Sequence, residues 1–172
     1  MRSSAQTDGG ATSRVVGSLL NWLSEPHPGV FVIATANDVR ELAEQVREGR
    51  FTPVFVDLPS FEDRAAIFAV HLRKRRRNPA DFDLQLLARN SEGYSGAEIE
   101  GAVKEALLES FEDGQREVLA DDVVRALAGI RPISQVKAAE IEELRRWARD
   151  ALAIDANLGT PVGATPTRSL EL

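Results

Sequence analysis

Residues 29–51, GVFVIATANDVRELAEQVREGRF, constrain the fold more than any other stretch of this chain. Val30 to Ala34 is an unbroken apolar run rich in β-branched and aromatic side chains. That pattern suits a strand buried on both faces, as in a parallel sheet. The run ends in Thr35-Ala36-Asn37-Asp38. Polar residues at the carboxyl end of such a strand stand where open α/β sheets bind ligands. Asn37 is therefore expected in a crevice. A helical turn follows, and Arg47 and Arg50, three apart around Gly49, are expected on a loop beyond it.

The rest of the chain is read outward from that stretch. Upstream, Val16, Leu19, Leu20 and Leu23 are spaced as an amphipathic helix. Pro26, Pro28 and Gly29 close it. Downstream, Val54 to Asp57 is expected as a second strand, closed by Pro59. Ser60 and Asp63 are placed to cap the next helix, on which Ile67, Val70 and His71 share a face. That helix runs into five consecutive cations, Arg73 to Arg77, and stops before Pro79. Asp83 caps a short helix. Ser95 and Glu98 form a capping box ahead of the stripe Ile99, Ala102, Val103, Ala106 and Leu107. Two more helices are expected, one with Val123, Val124 and Leu127, and one after Ser134 with Ile141, Leu144, Ala148 and Leu152. From about Asp155 the chain is rich in Gly, Pro and Thr without periodicity and is expected to be disordered. The order is α/β first and all-α after. The division drawn from it is 1–59, 60–153 and a tail over 154–172.

Composition narrows the chemistry. Of 172 residues none is cysteine and two are histidine, His27 and His71, which argues against a thiolate site or a histidine metal centre. No apolar run approaches the roughly 20 residues that span a bilayer, and no secretory leader follows Met1. A cytoplasmic protein without membrane partners is expected. Residues 1–78 hold 11 Lys and Arg against 9 Asp and Glu, whereas residues 79–172 hold 10 against 18. The acidic second half argues against a nucleic-acid platform there.

The ATAND sequence leading to R-E-G-R-F resembles the second region of homology of AAA family ATPases, within the AAA+ class. The resemblance extends from near Gly9 to about Phe111. It is closest to stand-alone bacterial and plastid AAA proteins with an ATAND-type sensor. It implies the C-terminal end of a parallel-sheet P-loop NTPase core followed by a helical AAA+ lid. It makes Asn37 the sensor-1 asparagine, an amide that holds the attacking water by donating and accepting hydrogen bonds. It makes Arg47 and Arg50 arginine fingers, delocalised cations reaching the phosphates bound by a neighbouring subunit. His71, in I-x-x-x-H, is implied by the ribose and adenine. Gly96 and Ala97, in G-Y-S-G-A-E, match the lid's sensor-2 region, where small side chains let a helix start approach the base. Each residue also has a plainer reading: Asn37 as a helix cap, Arg47 and Arg50 as a solvated helix end, His71 as a half-buried helix histidine. The Arg73 to Arg77 run is read as a solvated helix end, with a patch for an acidic partner as the alternative.

ATP with Mg²⁺ is the implied cofactor, and the implied partners are a ring-type homo-oligomer or an AAA subunit, together with a protein substrate. No G-x-x-x-x-G-K-[ST] and no apolar strand ending in Asp-Glu occurs in the sequence, nor does H-E-x-x-H. Two functions follow from the resemblance. One is the C-terminal portion of an ATPase that couples ATP binding and hydrolysis to protein remodelling, inactive by itself. The other is a non-catalytic module that docks onto a partner AAA protein. Either way, two strands do not make a covered parallel sheet, so their apolar faces are expected to be partly exposed.

Overall fold

A computed structural model of the chain describes residues 18, 21–22, 25, 28–36, 51–157 and 162–163. Its contacts divide the chain into two units, Met1–Phe55 with Trp147–Leu172, and Val56–Arg146. Ser18, Asn21 and Trp22 are helical. The apolar positions expected to drive that helix, Val16, Leu19, Leu20 and Leu23, lie outside the described residues.

The first unit holds a two-stranded parallel sheet, β1 (Val54–Phe55) and β2 (Ile154–Asp155), with Val54 opposite Ile154. Ile154 N–H donates to Pro53 O at 2.9 Å and Ala156 N–H donates to Phe55 O at 2.9 Å. The sequence pattern places a strand at Val30 to Ala34, and the structure differs. Residues 30–36 carry no strand pairing, and the neighbour of β1 comes from the segment expected to open a disordered tail. Strand geometry is sustained by its ladder, and Ile154 and Ala156 supply the N–H groups that Pro53 and Phe55 need. Nor is the apolar run buried on both faces: Val30, Phe31 and Ile33 are 55%, 88% and 79% exposed. That exposure agrees with the expectation that a fragmentary sheet leaves its faces uncovered. Beyond the last helix, Leu152 takes φ 52 and is exposed, so it is not part of the stripe assigned to it.

The second unit is helical. Its elements are α1 (Phe61–Lys74), a 3₁₀ turn at Pro79–Asp81, α2 (Leu84–Arg89), α3 (Gly96–Glu112), α4 (Ala120–Ala128), α5 (Ile133–Val136) and most of α6 (Ala138–Asp150). The starts are set locally, as the capping residues predict. Ser60 Oγ accepts from Asp63 N–H, and Asp63 accepts from Ser60 N–H at 3.0 Å. Ser95 and Glu98 repeat the box at α3, with Ser95 N–H donating to Glu98 Oε2 at 2.7 Å. Asp83 Oδ1 accepts from Leu86 N–H at 2.9 Å. Each such cap contributes about 1 kcal/mol.

The core is built from Phe68 and Leu72 of α1, Leu87 of α2, Ile99 and Val103 of α3, and Val123 and Leu127 of α4. Burying each of these stabilises the unit by roughly 1.5–3 kcal/mol. The α3 and α4 stripes lie where the periodicity puts them. On α1 the buried line is Arg64, Phe68 and Leu72, four residues apart, while Ile67 and His71 are half-buried and Val70 is exposed. Arg64 enters the core because its guanidinium is fully engaged by backbone oxygens. Its Nε and Nη2 donate to Ala88 O at 3.2 and 3.1 Å, and Nη1 donates to Pro59 O at 2.9 Å. Ala88 O lies in the last turn of α2 and Pro59 O just before α1, so the guanidinium bridges the two.

Tyr94 ties the loop before α3 to the end of α4. Its hydroxyl lies 2.8 Å from both Leu127 O and Ile130 O. Gly93 beside it is at φ 78, and a Cβ there would stand 2.1 Å from Ser134 Oγ, so only glycine fits. Arg145 closes α6 onto the entry to α1. Its Nε and Nη2 donate to the two carboxylate oxygens of Asp57 at 2.8 and 3.0 Å.

Candidate functional site

The half-buried face of α1 meets the start of α3 along one seam. Ile67 Cδ1 lies 3.7 Å from where a Cβ on Gly96 would be. One turn on, His71 Nδ1 is 3.9 Å from Glu100 Oε1. The next turn brings Arg75 Nη2 to Glu100 Oε1 at 2.8 Å, with Lys104 Nζ at 3.1 Å. Positions 67 and 71 therefore face 96 and 100, and Arg75 and Lys104 meet on Glu100 from the two helices. The two helices run in the same sense, and i, i+4 spacing keeps every member on the seam. Ile67 and His71 lie along this seam, with Ile67 also packed against the core, while Val70 is exposed.

His71 and Gly96, two of the expected cofactor-binding residues, thus lie one turn apart along the seam. Ala97 follows Gly96 in the first turn of α3 and is exposed. The reason for glycine at 96 is not internal. An added Cβ would make an ordinary contact with Ile67, and no positive φ is required there. A small residue with no packing or backbone need, at the open N-terminus of a capped helix, leaves room for a ligand to come close to free N–H groups.

Charge around His71 is arranged asymmetrically. Burial is the largest influence on its imidazole and holds the pKa below the usual value; Glu100 works against that, while Arg75, Lys74 and Lys104 reinforce it. Glu100 is pulled down to about 2, first by the hydrogen bond from Arg75 and then by the one from Lys104. A guanidinium only donates. Arg75 Nη1 lies 3.4 Å from His71 Nδ1, a contact that is a hydrogen bond when Nδ1 carries no proton. Arg75 also donates to His71 O at 3.1 Å.

The cationic run is not uniformly solvated. Arg73, Lys74 and Arg76 are exposed, but Arg75 turns into the seam and Arg77 Nη1 reaches Glu117 Oε2 at 3.7 Å. The helix ends where Arg76 takes φ 59 and Arg77 N–H donates to Leu72 O at 2.9 Å, a closing turn that redirects the run. Asn37, Arg47 and Arg50, the expected catalytic residues, lie outside the described residues. Among the described residues no cluster is suited to a metal ion. The sequence marks Arg75 only as one of the run from Arg73 to Arg77, and it does not mark Glu100 or Lys104. The i, i+4 pairs 71/75 and 100/104 are visible in it, but the register between the helices is not.

Residues 81–124 match the family model of the AAA+ lid domain. The chain carries an AAA+ lid domain. The lid match contains Gly96, Ala97, Glu100 and Lys104, and the α1 half of the seam precedes it. Similarity extends beyond the lid. The chain is 42% identical over 144 residues to an uncharacterized AAA domain-containing protein, ycf46, of Trieres chinensis, covering 82% of this chain and 29% of that protein. It is 44% identical over 100 residues to the ATP-dependent zinc metalloprotease FtsH of Acidothermus cellulolyticus, covering 57% of this chain and 15% of that protein. It is 36% identical over 109 residues to a proteasome-activating nucleotidase of Aeropyrum pernix, covering 62% of this chain and 26% of that protein. The chain thus spans less than a third of the length of these relatives. It joins a piece of parallel sheet to a helical unit that carries the AAA+ lid match. No described helix is long and apolar enough to cross a membrane.

Proposed function

We propose that this chain works as the C-terminal portion of an AAA ATPase and that its α1–α3 seam is the lid side of an ATP site. The observation that carries this is the seam itself, where Gly96 has no packing reason to be glycine and the His71 imidazole stands one turn away. In this reading Ile67 and Val70 give an apolar surface to the adenine. His71 donates from Nε2 to an acceptor on the base or ribose. Gly96 and Ala97 keep the first turn of α3 thin enough for the nucleotide to approach.

These residues fit the adenosine end of ATP only. The sequence has no phosphate-cradling G-x-x-x-x-G-K-[ST] and no Asp-Glu strand to hold Mg²⁺, so those groups belong to other residues of the module. Bound MgATP would supply the phosphoanhydride whose hydrolysis drives remodelling of a protein substrate. Asn37, Arg47 and Arg50 are the residues we assign to orienting water and to reaching a neighbouring subunit's phosphates, within a ring of AAA subunits. We place the protein in the cytoplasm.

Calorimetric titration with MgATP tests the reading. The chain alone is expected to give no saturable heat. Joined to an AAA α/β core that carries a P-loop and an Asp-Glu strand, it is expected to bind. His71→Ala is then expected to weaken binding by about tenfold, the worth of one hydrogen bond at a desolvated site. Equal affinity with and without His71 would remove the seam from the nucleotide site. Saturable binding by the chain alone, lost in His71→Ala, would make the seam a site in its own right.

A further inference from the structure

We propose that Arg75 is a positioning residue that locks His71 in a single tautomer, with Nδ1 as acceptor and the proton on Nε2, so that the seam presents one fixed hydrogen-bond donor. The geometry carries this. Arg75 is anchored at three points: Nη2 on Glu100 Oε1 at 2.8 Å, Nη1 on His71 O at 3.1 Å, and Nη1 on His71 Nδ1 at 3.4 Å. Its side chain is only 16% exposed, so water does not compete freely for those contacts. Glu100 Oε1 stands 3.9 Å from His71 Nδ1, and a neutral imidazole carries its proton on either ring nitrogen. Left to themselves the two side chains would favour a proton between them, on Nδ1. The guanidinium stands in place of that proton. It bridges the two acceptors with its rigid fork of donors, which a single ammonium does not reproduce.

A helix histidine without such a clamp exchanges between two tautomers and shows either a donor or an acceptor to its surroundings. Clamped, His71 selects a ligand atom with a lone pair. The purpose of the outward Nε2–H rests on the nucleotide-site reading above, whereas the clamp itself does not. The charged groups facing the ring are Lys74 and Arg75 from α1 and Glu100 and Lys104 from α3. Burial first, and then the three cations, lower the pKa of the ring against the opposing pull of Glu100.

The test is a nitrogen-15 spectrum of the imidazoles of the whole chain as pH is varied. The chain has two histidines, and His27→Gln assigns them. In the wild type, Nδ1 of His71 is expected to resonate as the lone-pair nitrogen and Nε2 as the protonated one. Arg75→Met is expected to give a mixture of tautomers and to raise the titration midpoint, since it removes a cation and leaves Glu100 facing the ring. Arg75→Lys retains the charge without the fork. It is expected to mix the tautomers while holding the midpoint close to the wild-type value, and it decides the matter if Arg75→Met does not fold. A wild-type lone pair on Nε2, or a tautomer signal unmoved by loss of the guanidinium, would overturn the clamp. A clamp that stands while MgATP leaves the Nε2 signal of the joined protein unmoved would sink the nucleotide reading alone.

Discussion

Asp122 shows how one carboxylate organises a helix start where no conventional cap is available. Leu119 occupies the cap position of α4 and has no side chain able to accept a hydrogen bond. Asp122 reaches back instead, and its Oδ2 accepts from Leu119 N–H at 2.8 Å. Arg116 grips both oxygens, at 2.6 and 2.9 Å, and Arg125 contacts Oδ1. The carboxylate is 3% exposed. These partners, Arg116 first, hold its pKa down to about 2, against an ordinary 3.8. A depressed folded-state value means that the contribution is complete above the ordinary value and is lost as pH falls through about 2. Asp122→Asn is expected to cost about 2 kcal/mol at neutral pH in urea unfolding, because two guanidinium groups lose their counter-charge. The cost should shrink as pH is lowered from 4 toward 2 (roughly the window between the two pKa values). Equal unfolding midpoints at pH 7 would remove Asp122 from the account.

At the scale of the element, the first turn of α3 separates two kinds of glycine. Gly93 sits just before the helix at φ 78, with Ser134 Oγ 2.1 Å from the site of a Cβ. Gly93→Ala is expected to lower stability by about 2 kcal/mol, from the left-handed backbone and the clash together. Gly96 is the first residue of α3, at an ordinary φ, with 3.7 Å to Ile67. Gly96→Ala is expected to raise stability by about 0.5 kcal/mol, since the unfolded chain loses freedom and the helix accepts the methyl group. In the joined ATP-binding protein the same change is expected to weaken MgATP affinity several-fold. Thermal unfolding and calorimetry on one pair of variants check both signs. A Gly96→Ala protein that is stabilised and binds MgATP unchanged would leave the glycine without a functional reason. The sequence showed the caps and the small residues of this turn. It did not show that Gly96 lies against Ile67, because the register of α1 against α3 is a property of packing, not of either helix.

The two units rest on different balances. The lid has a continuous core from four helices, with short connections between them, so its contacts are mostly local in sequence. The sheet unit depends on a pair of two-residue strands brought together from positions 54 and 154. In that unit Phe31, Ile33 and Val54 stay exposed. Exposed apolar groups and the open edges of a short parallel ladder favour association with other chains. Self-association that grows with concentration is expected in sedimentation velocity, and replacing Phe31 and Ile33 with serine is expected to reduce it. A monomer at all concentrations in the wild type would contradict this.

The sequence by itself determined the lid. Capping at Ser60, Asp83 and Ser95, and the 3.6-residue stripes of α3 and α4, depend on neighbours within a turn or two, so local chemistry fixes them. It also carried the AAA resemblance, since order and spacing of motifs are one-dimensional. Tertiary structure decided the rest. Arg64 becomes a core residue only because Ala88 O and Pro59 O come within reach of it. The partner of β1 is chosen by which backbone N–H groups arrive at its edge, and those come from Ile154 and Ala156 rather than from the apolar run at 30–34. The grouping of His71, Arg75, Glu100 and Lys104 forms only where two helices align, and no pattern confined to one of them encodes that alignment.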